Sequence, residues 1–196
     1  MKNRQNAALI LVDIQVGFHD HKYWGGERNN PNAENNCKKL LDYWRANKLV
    51  LFHIQHCSTA PASLLAEGHP GNAIKEIVKP RPGEAVIKKS VNSAFIGTDL
   101  KARLDAAGVT TVVIVGLTTD HCISTTARMA ANYGYDTWLV SDATATFPKT
   151  GINGEYYDAE TMHLTALAQL KGEFAHVLTA ADLLAKLGYP VTRLNS

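Results

Sequence analysis

The sequence predicts an α/β chain: three αβα layers around a six-stranded parallel sheet, Rossmann-like in plan. Three observations lead there. Short, wholly apolar runs of the kind buried on both faces recur along the chain. Stretches with helical periodicity alternate with them, which puts parallel strands in one sheet and helices on both its sides. The 196 residues, 45% apolar and 19% charged, are enough for one sizeable core, so residues 1–196 are expected to form a single domain.

The strands are expected at Ala7–Val12 (AALILV), Lys48–Ile54 (KLVLFHI), Ala85–Ile87, Thr110–Val115 (TTVVIV), Thr137–Val140 (TWLV) and Phe174–Leu178. The first helix, Glu34–Asn47, places Cys37, Leu40, Leu41 and Trp44 at i, i+3, i+4 and i+7, one apolar face. Thr98–Ala107 opens on a capping threonine with Asp99 behind it, and Gly108 stops it. Ser124–Asn132 is helical by composition and ends near Gly134; Tyr156–Leu170 and Ala180–Leu187 complete the set. Three long irregular pieces remain, Gly17–Pro31, Cys57–Gly71 and Thr144–Gly154; loops of this length in a compact fold are usually functional or mobile.

Charge narrows the partners. The net charge of +2 is too weak for a nucleic-acid footprint, and the basic residues cluster only as the pairs Lys38-Lys39 and Lys88-Lys89. The opening MKNRQNAALILVDI reads as a first strand rather than a signal peptide, and no run reaches membrane-spanning length. A cytoplasmic protein acting on a small molecule, with no nucleic-acid or membrane partner, is the expectation. Three cysteines without paired spacing argue against a disulfide framework, and the lack of any C-x-x-C removes the usual structural zinc signature. His53 and His56 form H-x-x-H, but residues three apart on a strand point to opposite faces. Neither a metal nor a cofactor is expected.

In open α/β sheets the site lies beyond the carboxyl ends of the strands. That edge collects Asp13 after the first strand, His56 and Cys57 after the second, Lys88 and Lys89 after the third, and Gly116–Cys122 after the fourth. An acid, a base and a thiol converge. Cys122 reads either as a small buried hydrophobe or as a thiol poised where a strand hands over to a helix, whose dipole would favour the thiolate. Asp13 reads as a turn cap or as a carboxylate of the site. Only one of Lys88 and Lys89 can face the site, because adjacent strand residues point opposite ways; spacing alone does not choose. Cys37, on the apolar face of its helix, reads as core. The dinucleotide-binding alternative lacks its glycine signature: DIQVGFHD stands where G-x-G-x-x-G belongs. A silent interaction protein is the other alternative.

Four blocks, in order, resemble the isochorismatase-like cysteine hydrolases: ALILVDIQVGF, PRPGEAVIKKSVNSAFIGTDL, VVIVGLTTDHCISTTARMAANYGY and VSDATATF. The later GEFAHVLTAADLL resembles the family's closing strand and helix. The resemblance implies a catalytic set of Asp13, Lys89 and Cys122, with Lys89 chosen because it lies four residues before Ser93. It also implies a non-proline cis peptide between Leu117 and Thr118, and an oxyanion hole from the N–H groups of Thr118 and Cys122. A homodimer or homotetramer is implied in the same way. Cys122 would attack a carbonyl carbon, with C–N hydrolysis of an amide, carbamoyl compound or lactam as the result; vinyl ether cleavage through Asp13 is the alternative chemistry. The Asp-x-His with which the metal set of nicotinamidase relatives begins is missing from LFHIQH, which turns the expectation away from a metal and from nicotinamide. The STAPASLLAEG loop resembles amidohydrolase members that include streptothricin-type lactam hydrolases. Phe18, Tyr23, Trp24, His56 and Phe95 are the expected substrate contacts.

Overall fold

The computed structural model describes residues 6–188. Six strands form one parallel sheet: β1 (Ala7–Val12), β2 (Leu51–His56), β3 (Ala85–Lys89), β4 (Thr111–Leu117), β5 (Asp136–Ala145) and β8 (His176–Leu178). Their spatial order is β3-β2-β1-β4-β5-β8, every pairing parallel. The chain therefore builds outward from β1 to β3, returns to the other flank of β1 with β4, and builds outward again. A reversal of this kind opens a crevice at the carboxyl ends of the two central strands.

The strands are apolar on both faces because both faces are covered. On one side Ala8, Ile10 and Val12 of β1 and Val112 and Ile114 of β4 pack on α2 (Leu100–Ala106), α3 (Ser124–Asn132) and α4 (Ala159–Leu170). On the other side Leu9, Leu11, Val113 and Val115 meet Cys37, Leu40, Leu41 and Trp44 of α1 (Ala33–Ala46) and Leu183 of α5 (Ala180–Lys186). Each fully buried Leu or Ile contributes about 1.5–3 kcal/mol. Cys37 is 1% exposed and its thiol donates to the Ala143 carbonyl, a core residue as its helical position predicts.

Several boundaries differ from the sequence expectation. Lys48 adopts φ +52 in the turn after α1, so β2 starts only at Leu51. Tyr156 and Tyr157 are not helical. They form a short strand, β7, antiparallel to β6 (Lys149–Thr150), and α4 starts at Ala159 because Asp158 caps it by accepting from the Thr161 N–H. β5 runs past Val140 to Ala145, its register on β4 shifting between Ile114 and Gly116, so the expected irregular stretch from Thr144 begins as strand. Asp99, not Thr98, holds the N-cap of α2; the Thr98 hydroxyl instead donates to the Ala94 carbonyl. Among the described residues no helix is long and apolar enough to cross a membrane.

Candidate active site

The strand ends converge as the topology requires, and pairing register decides which side chains meet. β2 and β3 align His56 with Lys89 and Gln55 with Lys88. The strand period therefore sends Lys89 inward with His56 and Lys88 outward, where it pairs with Glu67 in solvent. Asp13 follows β1 with φ +53, a left-handed conformation that Asp tolerates better than most residues. Its N–H still bonds the Ile54 carbonyl, so the carboxylate is aimed from a strand end that remains laddered to β2.

Close approach of β4 to β1 makes this possible. Gly116 has φ +123, and a Cβ there would lie 1.9 Å from the Val12 carbonyl oxygen. The glycine that ends the apolar run VVIVG is thus required by the backbone of the residue before Asp13. Beyond it the Leu117–Thr118 peptide is cis. A single wide turn, Thr119–Ile123, then carries Cys122 into α3, with the Thr118 carbonyl accepting from the His121 and Ile123 N–H groups.

Four side chains meet there. The Lys89 ammonium lies 2.6 Å from Asp13 Oδ2, 3.1 Å from His56 Nδ1 and 3.4 Å from Cys122 Sγ, and also donates to the Val91 carbonyl at 3.1 Å. Asp13 is 0%, Lys89 3% and Cys122 9% exposed, so bulk water hardly reaches the constellation. Asn92 Nδ2 approaches Sγ at 3.8 Å. Burial dominates the titration. It pushes the Asp13 carboxyl above its ordinary range against the pull of Lys89, and it pushes the Cys122 thiol well above its ordinary value, helped by the Asp13 charge and opposed by Lys89. The helix N-terminus was expected to favour a thiolate; burial pushes the thiol the other way. Asp13 Oδ1 is buried without a hydrogen-bond partner. Burial and Lys89 lower His56 below the ordinary imidazole value, which favours the neutral ring; Nδ1 accepts from Lys89 in the tautomer that carries its proton on Nε2.

Ligand atoms of Asp13, His56 and Cys122 lie within 4.8 Å of one another, a spacing compatible with a metal. Lys89 Nζ contacts all three. His53, the other half of H-x-x-H, turns to the opposite face and bonds Glu84 at 3.0 Å.

The expected contact residues divide. Phe18, Tyr23 and Trp24 form an aromatic group with Phe147: Phe18 to Trp24 is 4.7 Å and Trp24 to Phe147 5.8 Å between ring centroids. Phe18 and Phe147 pack on Leu117, so the group sits directly over the nucleophile turn. Phe95 is buried with its ring against Tyr133 and Tyr135, and those contacts belong to the core beneath α2 and α3.

Residues not singled out in the sequence hold the frame. Gln15 is fully buried; its amide accepts from the His56 N–H and donates to the carbonyls of His56 and Asn72. Asn72 donates to the His56 and Leu65 carbonyls, tying the 57–72 loop to the end of β2. On the far side His163 of α4 bonds Thr119 Oγ1 at 2.9 Å, and Thr146 donates to Asp120, so both residues before the nucleophile pair are anchored. The only sequence signal was the Gln two residues after Asp13; Asn72 and His163 lie too far along the chain for spacing to find. Gln15→Leu, which leaves the His56 N–H unpaired and weakens the hold on two carbonyls, is expected to lower the unfolding free energy by about 2 kcal/mol, measurable by urea denaturation.

Comparison with known proteins agrees with the fold. The isochorismatase domain model matches residues 7–182. The chain is 51% identical over 180 residues to the isochorismatase family protein YrdC of Bacillus subtilis, covering 92% of this chain and 95% of YrdC. It is 34% identical over 143 residues to streptothricin hydrolase of Streptomyces noursei, covering 71% of this chain and 50% of that protein. The crystal structure of a hydrolase of the isochorismatase family from Chromobacterium violaceum superposes with a TM-score of 0.90 at 44% identity, covering 95% of each chain.

Proposed function

Because the chain belongs to the isochorismatase family of hydrolases, we propose that it cleaves a C–N bond of a small amide, carbamoyl compound or lactam through an acyl-enzyme on Cys122. The observation that carries this reading is the contact of Cys122 with a buried Lys89–Asp13 pair. A thiol held protonated needs a base beside it. A carboxylate whose proton affinity is raised by burial is a better base than an exposed one. The name of the streptothricin hydrolase relative supports hydrolysis of a small molecule.

Asp13 takes the thiol proton as sulfur attacks the carbonyl carbon. The oxyanion is received by the N–H groups of Thr118 and Cys122, each donor of this kind contributing about 3 kcal/mol. Collapse of the tetrahedral adduct breaks the C–N bond, and Asp13 returns the proton to the leaving nitrogen. Water then enters, Asp13 takes its proton, and hydroxide attacks the thioester. The second collapse expels the Cys122 sulfur, which recovers a proton from Asp13, and releases the acid. Lys89 keeps its charge throughout and offsets the negative charge that passes between Asp13 and sulfur.

A second reading has one observation in its favour: a carboxyl raised by burial also suits Asp13 as an acid for vinyl ether cleavage. The two readings separate on a panel of small amides, carbamoyl amino acids and lactams, with isochorismate alongside. Ammonia or amine release, with an acyl mass trapped on Cys122 and absent from Cys122→Ala, is the expected result. Turnover of isochorismate alone, with no adduct, would overturn the proposal.

A further inference from the structure

An ammonium has three protons to give. Four atoms surround that of Lys89: Asp13 Oδ2 at 2.6 Å, His56 Nδ1 and the Val91 carbonyl at 3.1 Å each, and Cys122 Sγ at 3.4 Å; Nδ1 is an acceptor in the tautomer that carries the ring proton on Nε2. Sulfur is the farthest and the poorest acceptor of the four. The geometry points to His56 as a positioning residue that holds the third Lys89 proton away from Cys122 and so keeps the nucleophile a resting thiol in the free enzyme. The inference deepens the proposed mechanism and rests on its assignment of Cys122 as nucleophile.

The fold fixes His56 for this role independently of its ring. Its N–H and carbonyl are both held by the Gln15 side chain, with Asn72 adding a second donor to the carbonyl. Register with Lys89 across β2 and β3 then sets the imidazole beside the ammonium. Val91 and Asp13 likewise reach Lys89 from fixed backbone, so the competition is settled by placement. The charged and titratable groups facing Cys122 are Asp13 after β1, His56 at the end of β2 and Lys89 at the end of β3; Asn92 adds an uncharged amide. Within the nucleophile turn, Asp120 is occupied by Thr146 and Lys149, and His121 stands half-exposed beside it. Without the imidazole acceptor, the freed Lys89 proton has Cys122 Sγ as its remaining neighbour, and a hydrogen bond donated to sulfur favours the thiolate. A neutral imidazole is removed, so the net charge of the site does not change.

The test is the pH profile of Cys122 alkylation by iodoacetamide in the wild-type protein, His56→Leu and His56→Asn, with the adduct located by mass spectrometry. Leu fills the space with no acceptor; Asn restores an acceptor oxygen at the same δ position as the ring nitrogen. The expected result for His56→Leu is a midpoint at least about one pH unit lower, with labelling at pH 7 about tenfold faster, while His56→Asn keeps the wild-type midpoint. A faster rate at every pH with an unmoved midpoint reports easier access alone and overturns the inference. So does an equal shift in both variants. His56→Ala replaces His56→Leu if thermal melts show that Leu disturbs the strand end. Labelling requires no substrate, so this result stands apart from whether the protein hydrolyses amides.

Discussion

Lys89→Met is expected to lose C–N hydrolysis by at least about 10³-fold and yet to remain folded. The reason lies in the state of Asp13. Removing one partner of a buried ion pair typically costs about 3–5 kcal/mol when the other stays charged. Asp13 has an escape, because burial already raises its carboxyl and only the Lys89 contacts pull it down. Without Lys89 the carboxyl rises further and holds its proton more firmly. The protein then keeps its fold but has no base for the thiol and no positive charge to offset it.

The linkage has a definite sign. A carboxyl raised in the folded state holds a proton that the unfolded chain releases above its ordinary pKa of 3.8, so stability is lost as pH climbs from there toward the folded value. The wild type shows this weakly, since Lys89 opposes it; the variant shows it fully. Thermal melts at pH 5 and pH 8 check this. The melting temperature of Lys89→Met should fall further below wild type at pH 8 than at pH 5. An equal gap at both values would mean that Asp13 stays charged in the variant.

Gly116→Ala is expected to destabilise the fold by about 4 kcal/mol or more, near the limit for single substitutions. Two costs coincide. The backbone at φ +123 disfavours any Cβ, and the Cβ would lie 1.9 Å from a carbonyl oxygen of the neighbouring strand, where no side-chain rotation relieves it. Relief requires β4 to move away from β1, and those strands are paired along their whole length. The displaced carbonyl belongs to Val12, next to Asp13, so any soluble fraction should also lose hydrolysis. Soluble yield and the urea midpoint measure the first effect. A midpoint within the range of ordinary surface substitutions would contradict the close approach.

Ordering the chain into strands and helices needed little beyond periodicity, and the reason is local. β1 and β4 are buried on both faces, so their sequences are apolar apart from Thr111 and stand out. Boundaries failed where long-range pairing took over: Tyr156 and Tyr157 are captured by Lys149 and Thr150, a pairing no window on α4 registers. The candidate set was legible in two steps. In a parallel sheet every strand end points to one edge, so position collected Asp13, the Lys88-Lys89 pair and Cys122, and the family resemblance then chose Lys89. The aromatic group over the nucleophile turn was half visible: Phe18, Tyr23 and Trp24 follow Asp13 closely, while Phe147 arrives from the end of β5.

By itself the sequence determined the fold class and the edge that gathers a carboxylate, a lysine pair and a thiol. These depend on residue type and on the period of strands and helices. The tertiary structure decided which lysine faces inward, that Gly116 must lack a side chain, and that burial raises the thiol against the pull of Lys89. It also decided that His56 shares the Lys89 ammonium. Each depends on register between strands and on the exclusion of water, and both arise only when segments far apart in the chain are packed together.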